Sequence, residues 1–133
     1  MVRLMARTNI DSGTPWEELV GYSRAVRVGN QVFVTGTIAA DEQGLIVAPG
    51  DAYQQAVYII RKIEQALGEA GAGLEHVVRT RMYLLSLDHA DEVGRAHREA
   101  FESIRPCATM LAVADLFTDE ALVEIEVDAV IEN

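Results

Sequence analysis

The sequence has one cysteine, Cys107, one lysine, Lys62, three prolines, and no run of about 18 apolar residues. A single cysteine excludes an internal disulfide and fits a reducing compartment. The missing apolar run excludes a helical membrane span. Met1 to Asp11 holds Arg3 and Arg7 without an apolar stretch of signal-peptide length, so a cytoplasmic protein is expected. Schiff-base chemistry would have only Lys62 or the N-terminal amine to use. Positive charge is scarce: 11 Lys plus Arg against 21 Asp plus Glu leave a net charge of −10. Nucleic acid and anionic membranes are therefore not expected partners, since both are held by cationic surfaces. No Pro/Gly/Ser linker or low-complexity tract divides the 133 residues, half of which are apolar, so a single domain over 1–133 is expected.

Cofactor signatures are missing as well. His76, His89 and His97 have no HxH or HxxxH spacing. Glu124, Glu126 and Asp128 alternate along one strand, about 6.5 to 7 Å apart in a line, too far to hold one ion together. There is no GxSxG elbow, GxGxxG loop or Walker loop. Neither a metal nor a nucleotide cofactor is expected. Cys107 reads as a small core thiol and His97, on an apolar helical stripe, as a core histidine.

What is present is a clear succession of elements. Arg3 to Asn9 reads as a short strand, followed by an irregular stretch around Gly13, Thr14, Pro15 and Trp16. Tyr22–Val28 and Gln31–Thr37 are β-rich runs joined by Gly29-Asn30, the signature of a tight hairpin. Asp51 is the expected N-cap of a helix, with Gln54 as capping-box partner. Its apolar stripe is Tyr53, Ala56, Val57, Ile60, Ile63, Leu67 and Ala70, its polar face Gln55, Arg61, Lys62, Glu64 and Gln65, and its stop Gly71 to Gly73. His76–Ser86 reads as a strand with Val78, Thr80, Met82 and Leu84 on one side. Asp88 caps a second helix, with the stripe Ala90, Val93, His97, Ala100, Phe101 and Ile104, which Pro106 ends. Cys107–Ala114 and Val123–Ile131 are the closing strands; in the latter Val123, Ile125, Val127 and Ala129 oppose the three acidic residues.

This order predicts an α+β fold: a single mixed sheet of about six strands with two helices on one face. The other face, carrying residues such as Tyr83, Leu85 and Met110, is left open. A second copy of the chain is the economical cover, so a homo-oligomer is expected.

The segment Tyr22-Ser23-Arg24-Ala25-Val26 through Gly29, followed by Val32-Phe33-Val34-Thr35-Gly36, resembles the signature of the Rid family of reactive intermediate deaminases, also called YjgF-like or L-PSP endoribonuclease-like proteins. The likeness continues through Gln55-Ala56, the Gly71–Gly73 turn, the Val77–Leu87 strand, Arg105-Pro106 and Val123-Glu124-Ile125-Glu126. It implies a chorismate-mutase-like protomer assembled as a homotrimer, with small-molecule ligands in clefts between subunits. It further implies hydrolysis of reactive imines or enamines to keto compounds and ammonia. Residue by residue, the family's tyrosine falls on Tyr22, its Ser-Gly turn on Thr35 and Gly36 beside Thr37, and its water-handling glutamate on Glu124. The arginine of a P-x-R-[ST] motif, which clamps the substrate carboxylate, has no counterpart: Pro106-Cys107-Ala108-Thr109 puts Ala108 in its place, with Thr109 and Met110 following. Gly94 replaces a family asparagine. Arg24, Arg81 and Arg105 are the available substitutes for the clamp. If none serves, an arginine-free pocket of Tyr22, Thr37, Met110 and Glu124 suits a less polar ligand. The alternative to an atypical deaminase is a non-catalytic ligand-binding or regulatory trimer of the same fold.

Overall fold

The computed structural model describes residues 6–132. Six strands form one sheet: β1 (Arg7–Ile10), β2 (Ala25–Val28), β3 (Gln31–Thr37), β4 (Val77–Leu84), β5 (Cys107–Ala112) and β6 (Val123–Val130). Their spatial order is β1-β2-β3-β6-β4-β5, antiparallel throughout except for the parallel pair β4 and β5. The helices are α1 (Pro15–Val20), α2 (Ala52–Glu69) and α3 (Ala90–Phe101). The α+β architecture agrees with the sequence pattern. Only the part of the expected Arg3–Asn9 strand from residue 6 onward falls within the described residues. No helix among these residues is long and apolar enough to cross a membrane.

Helices α2 and α3 lie on one face of the sheet, and the core forms between them and its alternate residues. Val123, Ile125, Val127 and Ala129 of β6 are buried beneath Ile59, Ile63 and Leu67 of α2 and Val93 and Phe101 of α3. Glu124, Glu126 and Asp128 face the other way. There they meet β4: Arg81 pairs with Glu126 at 3.9 Å and with Asp128 at 3.4 Å, and Tyr83 donates to Glu126. The open face also exposes Phe33 and Leu111, whereas Met110, expected on this face, lies beside the buried Met82 and packs against the core, so its neighbour Leu111 takes the open side.

Several expectations need correction. The stretch at Thr14–Trp16 is not irregular: Pro15 starts α1 with a ring that presets φ and needs no helical N–H partner, and Gly21 ends it in the left-handed conformation. The side chain of Asp51 accepts from Gln54 N at 3.0 Å, but Asp51 N–H donates to Ala48 O instead of completing a capping box. Gln55 is wholly buried rather than on the polar face. It sits one helical turn before Ile59 and binds three backbone groups, donating to Ala48 O and Glu120 O and accepting from Leu122 N. In β4 a register shift against β6 between Val77 and Arg79 turns Val78 outward and Val77 inward. Ser86, not Asp88, caps the turn leading to α3, accepting from Asp88 N at 3.1 Å. Cys107 is exposed on the edge strand rather than buried. His97 is half-buried against Phe101, its Nε2 2.8 Å from the buried Thr80 Oγ1.

Candidate functional site

The hairpin β2–β3 turns at Gly29-Asn30, with Val28 opposite Gln31; Gly29 takes φ +60° and Asn30 does not share the left-handed conformation. Along β3 the pairing with β6 runs evenly to Val34↔Val127, then resumes at Thr37↔Ile125. Three steps on β3 thus match two on β6. The bulge falls on Thr35-Gly36 and opens the sheet beside Glu124.

Gly36 is required there by close approach. A Cβ at this position would overlap Glu124 Oε2, and it would stand 3.1 Å from Cδ and 3.4 Å from Cγ of the same side chain. Glu124 therefore lies across the bulge. Its carboxyl makes no side-chain hydrogen bond or ion pair among the described residues. Burial, with the Glu126 charge behind it, raises its pKa above the ordinary 4.5 against a smaller opposing effect of Arg24.

This carboxyl faces a cavity of about 330 Å³ whose wall includes Tyr22, Thr35, Gly36 and Glu124. The apolar part of the wall comes from α1 and the loop before β6, where Trp16 and Phe117 meet edge to face with centroids 5.9 Å apart. Helix α1, absent from the sequence-based element order, thus supplies one side of the cavity. Two cations complete the wall, Arg24 and Lys62. Arg24 is buried, donates from Nη1 to Thr37 Oγ1 at 3.0 Å, and lies 3.7 Å from Glu17 Oε2. Burial pushes the Glu17 carboxyl up, but hydrogen bonds from Ser12 and Thr14 and the Arg24 charge outweigh it, and its pKa falls below the ordinary value. Lys62 reaches the cavity from α2 and donates to Ala40 O at 2.8 Å. Burial and the neighbouring Arg24 lower its pKa, with Glu17 and Asp41 opposing.

Of the residues singled out from sequence, Tyr22, Thr35, Gly36 and Glu124 come together in this cavity. Thr37 is buried and does not line the cavity; its Oγ1 accepts from Arg24 and donates to Thr35 O at 2.8 Å. Ala108, Thr109 and Met110 lie on the edge strand β5, two strands from Glu124, and line no part of the cavity within one chain. Arg81 and Arg79 are engaged with the acidic row of β6. The cavity is therefore not arginine-free. Lys62 was read from sequence as a solvated helix position; a long side chain pointing along the helix surface leaves no periodic signal of where its end lies.

A bulged sheet thus carries a carboxyl of raised pKa over a glycine, beside a largely apolar cavity. The profile of the family described as Endoribonuclease L-PSP matches residues 15–131, and the chain belongs to that family. Its curated relatives include an uncharacterized protein of Streptomyces coelicolor, 41% identical over 120 residues, with 90% of this chain and 89% of the relative covered. A 3-aminoacrylate deaminase RutC of Acinetobacter baylyi is 29% identical over 116 residues, covering 87% of this chain and 90% of the relative. Among solved structures, a Mycobacterium tuberculosis protein described as a member of the highly conserved YjgF/YER057c/UK114 family superposes with a TM-score of 0.86 at 44% identity. That superposition covers 95% of this chain and all of the other.

Proposed function

We propose that the chain is a hydrolytic deaminase of a small reactive imine or enamine, working as a homotrimer. The observation that carries this reading is the Glu124 carboxyl, free of side-chain partners, with raised pKa, lying over Gly36 at the cavity wall. A carboxyl group whose proton affinity is raised by burial can take a proton from one atom and give it to another. An enamine first takes a proton on its β-carbon to become the iminium ion, which an imine becomes by protonation on nitrogen. Water adds to the C=N carbon of that ion while Glu124 takes a water proton, giving a neutral carbinolamine. Glu124 returns the proton to nitrogen, the C–N bond breaks as the hydroxyl proton passes to Glu124, and the ketone leaves with ammonia, which carries that last proton away as ammonium. Tyr22, on the wall of the same cavity, contacts the ligand, and the bulged Thr35-Gly36 backbone fixes where the reacting carbon lies. A deaminase named for an enamine substrate among the relatives supports the same chemistry.

Assembly through the open sheet face accords with the apolar Phe33 and Leu111 exposed there among alternating charges. In the trimer the β5 edge of a neighbouring copy, with Ala108, Thr109 and Met110, closes the cleft. The family description names a ribonuclease, but a charge of −10 and a largely apolar cavity favour a small molecule over RNA.

The test is ammonia release from enzymatically generated imines, 2-iminopropionate and bulkier apolar analogues, in the native protein and in Glu124→Ala, with assembly followed by light scattering. Turnover lost in a variant that remains trimeric is expected. Undiminished turnover in Glu124→Ala refutes the assignment of Glu124.

A further inference from the structure

Lys62 is the only lysine of the chain, and the function proposed above leaves it without a task. Its long side chain carries the amine from α2 to Ala40 O, 2.8 Å away, and Ala40 is itself part of the cavity wall. That carbonyl is its only hydrogen-bond partner among the described residues, and no carboxylate among them lies within 4 Å of it. The charged and aromatic groups around it are Arg24, just before β2, Glu17 of α1, Asp41 in the loop after β3, and Tyr58 one turn back along α2, whose ring centroid is 5.9 Å from Nζ. Burial and the Arg24 charge favour the neutral amine, Glu17 and Asp41 oppose them, and the pKa falls below the ordinary 10.5. Desolvation beside a second cation is the setting that turns a lysine into a nucleophile. Lys62 is only partly buried, so a molecule in the cavity can touch it.

We propose that the Lys62 amine captures small aldehydes in this cavity as a Schiff base, a chemistry separate from water addition at Glu124. The neutral nitrogen attacks the aldehyde carbon; the C–N bond forms, the carbonyl oxygen takes one proton from the nitrogen, and a carbinolamine results. Its hydroxyl then leaves as water with the remaining nitrogen proton, and the C=N bond forms. Nothing is oxidised or reduced, and water reverses the sequence. Ala40 O holds one N–H of the free amine and so fixes the nitrogen at the wall. An aldehyde suits an amine anchored in this way better than a ketone, because one side of its carbonyl carbon bears only hydrogen. Trp16, Val20, Ile38 and Phe117 supply an apolar wall for a hydrocarbon tail, in a volume of about 330 Å³ that lies in the range of sites enclosing whole small molecules. The capture rests on the cavity and on Lys62, not on turnover at Glu124.

In the test, the native protein is incubated at pH 7 with benzaldehyde and sodium cyanoborohydride, which reduces the Schiff base to a stable benzylamine, and the modified residue is located by peptide mass spectrometry. Nα-acetyl-lysine amide, the native protein unfolded in guanidinium chloride, and Lys62→Arg are treated in parallel. The benzyl group is expected on Lys62, formed about tenfold or more faster than on the lysine amide, since binding and the neutral amine both favour it. Its rate should saturate with benzaldehyde, fall when benzyl alcohol fills the cavity without reacting, and rise with pH to a midpoint below 10.5. Unfolding should remove all three effects, and Lys62→Arg, which keeps the charge without the nucleophile, should take up one benzyl group fewer by intact mass. An unlabelled Lys62, or labelling at the rate of the lysine amide, linear in benzaldehyde and indifferent to benzyl alcohol, overturns the proposal. Saturable labelling in a protein that turns over no imine leaves the capture standing and removes the deaminase reading; imine turnover with Lys62 unlabelled removes the capture alone.

Discussion

Placing a methyl group at position 36 tests whether the position of Glu124, rather than its mere presence, controls the chemistry. Gly36 has ordinary negative backbone geometry, so Gly36→Ala introduces no left-handed strain. The new Cβ overlaps Glu124 Oε2 and stands 3.1 Å from Cδ, inside the roughly 3.5 to 4.0 Å separation carbon atoms prefer. The blocking atoms belong to the end of a flexible side chain, so the carboxyl swings aside by about 1 Å at little cost to folding, and a displacement of that size costs about 10²-fold in rate. That factor corresponds to about 2.7 kcal/mol of transition-state stabilisation. The expected result is kcat/KM for imine hydrolysis reduced about 10²-fold, with a melting temperature within a few degrees of the native value. Full activity in Gly36→Ala, in a protein where Glu124→Ala is inactive, would refute positional control.

Glu124 is held above its ordinary 4.5, so the acid limb of kcat/KM should lie above that pH, and Glu126→Gln, by removing a like charge, should move it downward; a limb that does not move removes Glu124 as the titrating base. The same raised pKa means the folded chain is penalised once pH exceeds the unfolded value, so Glu124→Gln should melt higher than native at pH 7 and not at pH 4. Burial lowers the pKa of His97 below 6.5, so stability present above that pH is lost as pH falls toward the folded value; His97→Gln should flatten the decline below pH 6.5 in denaturant titrations. Gln55→Leu strands three buried backbone groups and should cost about 3 kcal/mol in urea unfolding, whereas a loss under about 1 kcal/mol would mean that water or relaxation satisfies them.

Strands β3 and β6 and helix α2 were legible because period and punctuation agree: Val123, Ile125, Val127 and Ala129 alternate with acids, and Asp51 begins a long apolar stripe. Helix α1 was not, because six residues show less than two turns of periodicity and Thr14 makes no side-chain cap. The burial of Gln55 was present in its spacing, one turn before Ile59, but was masked by its polarity. Within the site, Tyr22, Gly36 and Glu124 followed from resemblance to family motifs and Arg24 was among the arginines expected near the cleft, while Lys62 joined through a side-chain reach that periodicity does not encode. Val78 was placed on the wrong face because a bulge reverses the alternation on which the reading depends.

Because inward and outward residues alternate along β6, a shift of one position would exchange four aliphatic side chains for three carboxylates in the core. The amide of Gln55 grips Glu120 and Leu122 just ahead of that strand, from a helix it cannot slide along. Changes in chain length are thereby sorted by position. Residues inserted among Ala114 to Thr118, on the surface, lengthen a loop and reshape the cavity mouth around Phe117. A single residue inserted between Leu122 and Glu124 sets the clamp against the register, and either the carboxyl leaves the bulge or the core takes in charge. Between β5 and β6, insertions are therefore tolerated on the side of Glu120 nearer β5, where they alter what enters the cavity and leave the Glu124 carboxyl where it was.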